Sequence, residues 1–205
     1  MKLIILDRDG TLNPLPEGEE FVATAQAWNP LPGALEAVAR INRLGWHVMV
    51  ATNQPGLGRG LFDVASLNDI HAKLHRLLAM AGGRIDAIFY CPHAPGDHCH
   101  CRKPAPGLLE QMCERAGVNP REVHAVGDSA LHLQAAAALG MHLHALRGGD
   151  ADRAAEQLVQ GAPIAEMSAL TIHQDLSAFA DYLARQEAAM EAGMEAGAQA
   201  QEPVA

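Results

Sequence analysis

The chain is poor in aromatic residues, with two Trp, two Tyr and four Phe among 205 residues. A core must therefore be filled by Leu, Val, Ile and Ala. It also lacks any basic surplus. Fifteen Lys and Arg face 24 Asp and Glu, a formal charge of −9, whereas a nucleic-acid-binding surface carries an excess of cations. No stretch approaches the roughly 20 apolar residues that span a bilayer. The apolar run from Leu3 to Leu6 is shorter than a signal-peptide core of roughly 7–15 residues, and Asp7 follows it at once. These absences argue against nucleic-acid and membrane partners, and the expectation is a cytoplasmic protein. Structural disulfides are rare in that compartment, so the four cysteines are expected to be metal ligands or buried thiols.

What is present is a regular alternation. Short apolar runs at residues 2–6, 46–51, 85–90, 122–126 and 141–146 predict strands. Segments with apolar residues at helical spacing predict helices over 33–44, 64–81, 105–116, 130–139 and 175–185. Strand alternating with helix implies an α/β fold, a doubly wound and mainly parallel sheet. Residues 1–186 make one domain of ordinary size, expected to be a monomer. Beyond Gln186, Met190-Glu191-Ala192-Gly193 is repeated as Met194-Glu195-Ala196-Gly197. Such composition offers little core, so residues 187–205 are expected to be a frayed helix or disordered tail.

Ligands of an open parallel sheet bind outside the carboxyl ends of its strands. The first expected strand is followed by Asp7-Arg8-Asp9-Gly10-Thr11-Leu12-Asn13, the second by Thr52-Asn53-Gln54, and the fourth ends at Gly127-Asp128-Ser129. Arg102-Lys103-Pro104 lies in the connection between the third and fourth. Singly, these are ordinary features: a turn at Asp9-Gly10, a helix cap at Thr52-Asn53, a solvated charge at Lys103. As an ordered set over most of residues 1–150 they resemble the four motifs of the haloacid dehalogenase superfamily of phosphohydrolases.

That resemblance implies a Rossmann-like core and a chemistry for each residue. Asp7 would be the nucleophile that forms an aspartyl-phosphate. Asp9 would be general acid to the leaving alcohol and then general base to water. Thr52 and Lys103 would stabilise the phosphoryl oxygens. Magnesium would be held by Asp7, by the backbone carbonyl of Asp9 and by Asp128, neutralising the repulsion between carboxylate and phosphate. Only about thirty residues separate Asn13 from the second strand, part of them helical. This leaves no room for a separate cap domain. Loop 14–32 and the loop at 91–101 are expected to wall an open site.

Cys91, His93, Cys99 and Cys101 form a Cys₃His set in closely spaced pairs, the ligand set of a closed, structural zinc site. His98 and His100 are spare imidazoles nearby, and Cys113 is expected to be a buried thiol. The zinc loop would fix the direction of Arg102 and Lys103, which follow it directly. With this loop, the motifs resemble the D-glycero-D-manno-heptose 1,7-bisphosphate phosphatases, whose reaction leads toward lipopolysaccharide precursors, and the related histidinol-phosphate phosphatases. The resemblance implies that Thr52, Asn53, Gln54, Arg102 and Lys103 contact a small phosphate ester, a heptose bisphosphate or histidinol phosphate. Arg102 suits a two-pronged contact with a second phosphate or with sugar oxygens.

One position departs from the pattern. A second acid commonly stands four residues after the Asp of the Gly-Asp motif, and here His132 takes its place. An imidazole is softer and can carry positive charge, so it is not expected to replace a carboxylate in orienting magnesium-bound water or a lysine. Three readings stay open: an active but altered enzyme, a zinc-stabilised binding protein without activity, and a surface histidine of no consequence.

Overall fold

Residues 1–15, 18–147 and 170–199 are described by a computed structural model of the chain. Six parallel strands form one sheet: β1 (Leu3–Leu6), β2 (His47–Asn53), β3 (Ala87–Cys91), β4 (His124–Gly127), β5 (His142–Leu146) and β6 (Thr171–His173), in the order β3-β2-β1-β4-β5-β6. Among the described residues the α-helices are α1 (Ala34–Arg43), α2 (Pro55–Gly58), α3 (Val64–Met80), α4 (Gly107–Ala116), α5 (Ala130–Ala137) and α6 (Leu176–Gln199). Strand β1 lies in the middle, and all four of its residues are buried because both sheet faces are covered. Ile4 and Leu6 point into one core with α1, α3 and α6, whereas Leu3 and Ile5 point into the other with α4 and α5. The period of two along a strand divides one apolar run between two cores. The doubly wound class expected from the alternation is the one observed. Among the described residues no separate cap domain is inserted, and no helix is long and apolar enough to cross a membrane.

Three differences from the expected elements matter. Thr52 and Asn53 are the last residues of β2 and Cys91 the last of β3, so the strands run further and themselves carry these side chains to the site. Strand β6 was not expected: three residues with one aliphatic side chain, Ile172, give almost no periodic signal. Helix α6 continues past residue 186 to Gln199, and Glu187 reaches back to accept a hydrogen bond from Trp46 Nε1 at 3.0 Å. Residues 200–205 of the expected tail lie outside the described residues.

On the α6 face, β4, β5 and β6 line up a row of imidazoles. His124 Nδ1 lies 2.8 Å from His144 Nε2, and His144 Nδ1 lies 2.9 Å from His173 Nε2. Phe179 and Tyr182 of α6 pack against His144 and His173, and Trp46 meets His124 edge-on. Burial pulls His124 down to about 4 and His144 to about 2, in each case reinforced by a neighbouring histidine, and it lowers His173, where Arg185 adds to the effect. Unfolded, each would take a proton near the ordinary value of 6.5. Below that pH the unfolded chain therefore binds more protons than the folded one, and stability falls as the solution is acidified. Each such histidine removes about 1.4 kcal/mol per pH unit, until its folded value is reached. The urea midpoint should accordingly drop steadily from pH 6.5 to 4.5. A midpoint that stays level over that range would contradict this account of the imidazole row.

Candidate active site

The carboxyl ends of β1, β2 and β4 open into a cleft of about 310 Å³, lined by Asp7, Asp9, Thr52, Lys103, Asp128 and Arg102 among others. The motif residues come together because the central strands are adjacent and parallel, so their chain ends share one edge. Asp7 follows β1 directly; its Oδ1 accepts from the Arg8 amide and from Lys103 Nζ, each at 2.8 Å. Asp128 follows β4 and lies over Gly10. A Cβ on residue 10, whose φ is +83°, would stand 2.0 Å from Asp128 Oδ2, so glycine serves here both for conformation and for close approach. Burial, and then the charge of Asp7, push the Asp128 carboxyl up to about 7.

Asp9 is surrounded by donors. Arg8 Nη2 reaches both of its oxygens, at 3.1 and 3.0 Å, and Arg8 Nε reaches Oδ1 at 3.2 Å. Asn13 Nδ2 and Gln54 Nε2 donate at 3.0 Å each, and the Thr52 hydroxyl at 3.3 Å. Arg8 is fully buried, and its Nη1 lies 3.3 Å from His71 Nε2 on α3. Arg8 and Asn13 were not among the residues expected to matter. A forked guanidinium one residue from an acid is a weak sequence signal, because most arginines are solvated. Trp28, buried in loop 14–32, holds Asn13 in turn, its Nε1 donating to Asn13 Oδ1 at 2.8 Å.

The expected substrate contacts divide on inspection. Thr52, Asn53, Arg102 and Lys103 line the cleft, but Gln54 is wholly buried behind it. Gln54 supports Asp9 and Thr52, the latter at 2.8 Å, rather than facing a ligand. Asn53 lines the wall yet spends its amide on the backbone of Lys103, donating to its carbonyl at 3.0 Å and accepting from its N–H at 3.1 Å. Lys103 is 2% exposed, and Arg102 donates to the His93 carbonyl at 3.4 Å. Pro55, Ser129 and Leu131 also line the cleft, as do Leu15 and Glu20 of loop 14–32. Of the two expected walls, loop 14–32 lines the cleft, whereas loop 91–101 contributes no lining residue and only the Arg102-Lys103 pair that follows it does; the start of α5 is a further wall. His132 is not on the surface but fully buried.

At the foot of β3 the sulfurs of Cys91, Cys99 and Cys101 and Nδ1 of His93 converge. The contacts run from 3.3 Å (Cys101 to Cys91 and to His93) to 3.6 Å (Cys99 to Cys91 and to Cys101). A regular tetrahedron of sulfurs about 2.3 Å from a centre has edges near 3.8 Å. The four atoms could therefore hold a zinc ion. His98 and His100 stand outside the group. Cys113 is buried on α4, as expected, and burial raises its thiol to about 11.

The family is shown by comparison. Residues 15–140 match the haloacid dehalogenase-like hydrolases, and the chain belongs to that family. Within it the chain is 46% identical to the D-glycero-beta-D-manno-heptose-1,7-bisphosphate 7-phosphatase of Bordetella bronchiseptica, over 91% of this chain and 99% of that one. The enzyme of the same name from Pseudomonas aeruginosa is 47% identical over 67% of this chain and 76% of its own. The structure of the D,D-heptose 1,7-bisphosphate phosphatase from B. bronchiseptica complexed with magnesium and phosphate superposes with a TM-score of 0.81, covering 91% of this chain and 99% of that one at 46% identity. The Burkholderia thailandensis structure gives 0.65 at 40% identity, covering 89% and 99%.

Asp7 and Asp128 fit a hard divalent cation: both are carboxylates, and the raised Asp128 value reflects first burial and then repulsion by Asp7, both of which a cation would offset. A proton and the cation then compete for Asp128. Magnesium affinity, measured by titration calorimetry, should weaken as pH falls below about 7, toward tenfold per pH unit in the limit of one displaced proton. An affinity unchanged from pH 8 to 6 would count against the pairing. At the second site, Cys91, Cys99 and Cys101 should resist a thiol reagent until a strong chelator is added. Rapid modification of all three in the untreated protein would show that no metal holds them.

Proposed function

We propose that the chain is a magnesium-dependent phosphatase that removes the 7-phosphate of a D-glycero-D-manno-heptose 1,7-bisphosphate, and that residues 1–186 are its catalytic domain. The observation that carries this reading is the Asp7–Lys103–Asp128 arrangement in one cleft, beside the half-buried Asp9. The names of the relatives favour heptose over histidinol phosphate. The acidic balance of the chain offers nothing to nucleic acid or an anionic membrane.

Both protein donors to Asp7 converge on Oδ1, and among the described residues none reaches Oδ2. Oδ2 is the oxygen free to attack phosphorus. As the Asp7–phosphorus bond forms, the bond from phosphorus to the sugar oxygen breaks, and that oxygen takes a proton from Asp9. Water then attacks the aspartyl-phosphate, Asp9 takes its proton, and the bond to Asp7 breaks to release inorganic phosphate. Five donor atoms from Arg8, Asn13, Thr52 and Gln54 orient the Asp9 carboxyl in the cleft, where it exchanges a proton first with the leaving oxygen and then with water. Lys103 and the Thr52 hydroxyl face the cleft where phosphoryl charge develops. Magnesium, held by Asp7, Asp128 and the Asp9 carbonyl, would supply charge neutralisation between nucleophile and phosphate. Zinc on Cys91, His93, Cys99 and Cys101 would be structural, anchoring the segment from which Arg102 and Lys103 project. Arg102, whose Nη1 donates to the His93 carbonyl and which lines the cleft, would contact the second phosphate of the substrate.

Asp7→Asn should abolish release of phosphate from the heptose bisphosphate, by at least about a thousandfold, which corresponds to about 4 kcal/mol of transition-state stabilisation. Arg102→Ala should raise KM for the bisphosphate far more than for a monophosphate. A variant Asp7→Asn with full turnover would remove the nucleophile assignment, and failure of the wild-type protein to cleave any phosphate ester would remove the enzyme.

A further inference from the structure

His132 sits in the first turn of α5, directly beneath the cleft, with no exposed surface. Its Nδ1 lies 3.2 Å from Lys103 Nζ. An ammonium group has three protons and no lone pair, so any hydrogen bond between them runs from lysine to imidazole. Nδ1 is therefore the acceptor, and the proton of the neutral ring is on Nε2. Nε2 is buried without a full hydrogen-bond partner, although the Ile5 carbonyl favours a proton on the ring. Burial and the Lys103 charge hold His132 down to about 3, in keeping with a neutral ring.

The same lysine donates to Asp7 Oδ1 and to the Ala51 carbonyl, each at 2.8 Å. Its three protons thus meet three acceptors, from the end of β1, from β2 and from α5. Of these only Asp7 carries charge. A buried ammonium needs all its protons satisfied, and an acceptor that is itself charged would also cancel its positive field.

We propose that His132 is a positioning residue for phosphoryl transfer: as an uncharged acceptor it completes the cage of Lys103, and it leaves the lysine's positive charge available to the phosphate. The proposal rests on Lys103 facing the phosphoryl group. It implies that this chain trades cation affinity for phosphate affinity at position 132. A carboxylate there would add a negative charge beside Lys103, drawing magnesium more tightly and repelling phosphate. An apolar side chain would leave one lysine proton unsatisfied and the ammonium free to turn from the cleft.

The test uses His132→Asn, His132→Leu and His132→Asp in the full chain, with the heptose bisphosphate as substrate. Binding of inorganic phosphate and of magnesium is measured separately by calorimetry. His132→Leu should lower kcat by about tenfold or more with little change in KM, because Lys103 acts on developing charge. His132→Asn, whose amide oxygen can replace Nδ1 as a neutral acceptor, should recover most of that loss. His132→Asp should bind magnesium about tenfold more tightly and inorganic phosphate about tenfold more weakly, a change of about 1.4 kcal/mol in each. The tautomer is read on the wild-type protein from two-bond proton–nitrogen NMR couplings, which should show Nδ1 bare and Nε2 protonated.

A proton on Nδ1, a His132→Leu variant with unaltered kcat, a His132→Asn variant no better than His132→Leu, or a His132→Asp variant with unaltered phosphate affinity would each overturn the proposal. The NMR and phosphate measurements need no turnover. They decide the role of His132 even if His132→Leu fails to fold, and even if the wild-type protein proves not to hydrolyse the ester.

Discussion

Asp7 and Asp128 are carboxylates gathered at one edge of a buried sheet, where water is too scarce to screen their repulsion. Like charges at such a place are held together only if a cation is fixed beside them or one of them takes a proton. Lys103 is the protein's own part of that answer, and its burial creates the next requirement. A lysine withdrawn from water must have its protons satisfied, which accounts for Ala51 and His132 around Nζ. Its backbone must also be held, which accounts for the two-sided amide clamp of Asn53. The Cys₃His cluster stands immediately before it in the chain, so the crosslink that a zinc ion would make there lies next to the residue that can least afford to move.

Asp9 illustrates the same logic from the other side. Its charge is met by a buried arginine rather than by an exposed lysine, and a planar fork matches both carboxylate oxygens at once. Breaking such a buried pair by removing one partner costs roughly 3–5 kcal/mol. Arg8, Asn13, Trp28 and Gln54 therefore form a support beneath the acid–base residue. None of the four is among the residues lining the cleft. Loop 14–32 is joined to this support through Trp28 and to the cleft through Glu20, whose carboxylate pairs with Arg59.

The expected strands and helices were legible because a doubly covered sheet needs continuous apolar runs at its centre and a helix needs its stripe, and both patterns are local. Strand β6 was not legible. Its pairing with β5 rests on backbone hydrogen bonds, which have no residue signature, and its side chains are mostly histidine and threonine. The imidazole row was missed for a related reason. His124, His144 and His173 are far apart in sequence, and each alone reads as an ordinary surface residue. Gln54 shows the opposite error: a polar residue beside a motif threonine was expected to touch substrate, and the turn after β2 directs it inward onto Asp9 instead.

The sequence alone determined the class of fold, the order of the motifs and the chemistry available to Asp7, Asp9, Lys103 and Asp128, because spacing along the chain and side-chain type are sufficient for those. It also contained the four side chains of the Cys₃His set in closely spaced pairs, whose convergence follows from short loops. Only the tertiary structure decided that His132 faces Lys103, that Arg8 grips Asp9, that Gln54 turns inward and that α5 forms a wall of the cleft. These are matters of direction and burial. They depend on how strands stack in register and which face of a helix meets the sheet, and contacts between residues distant along the chain settle that.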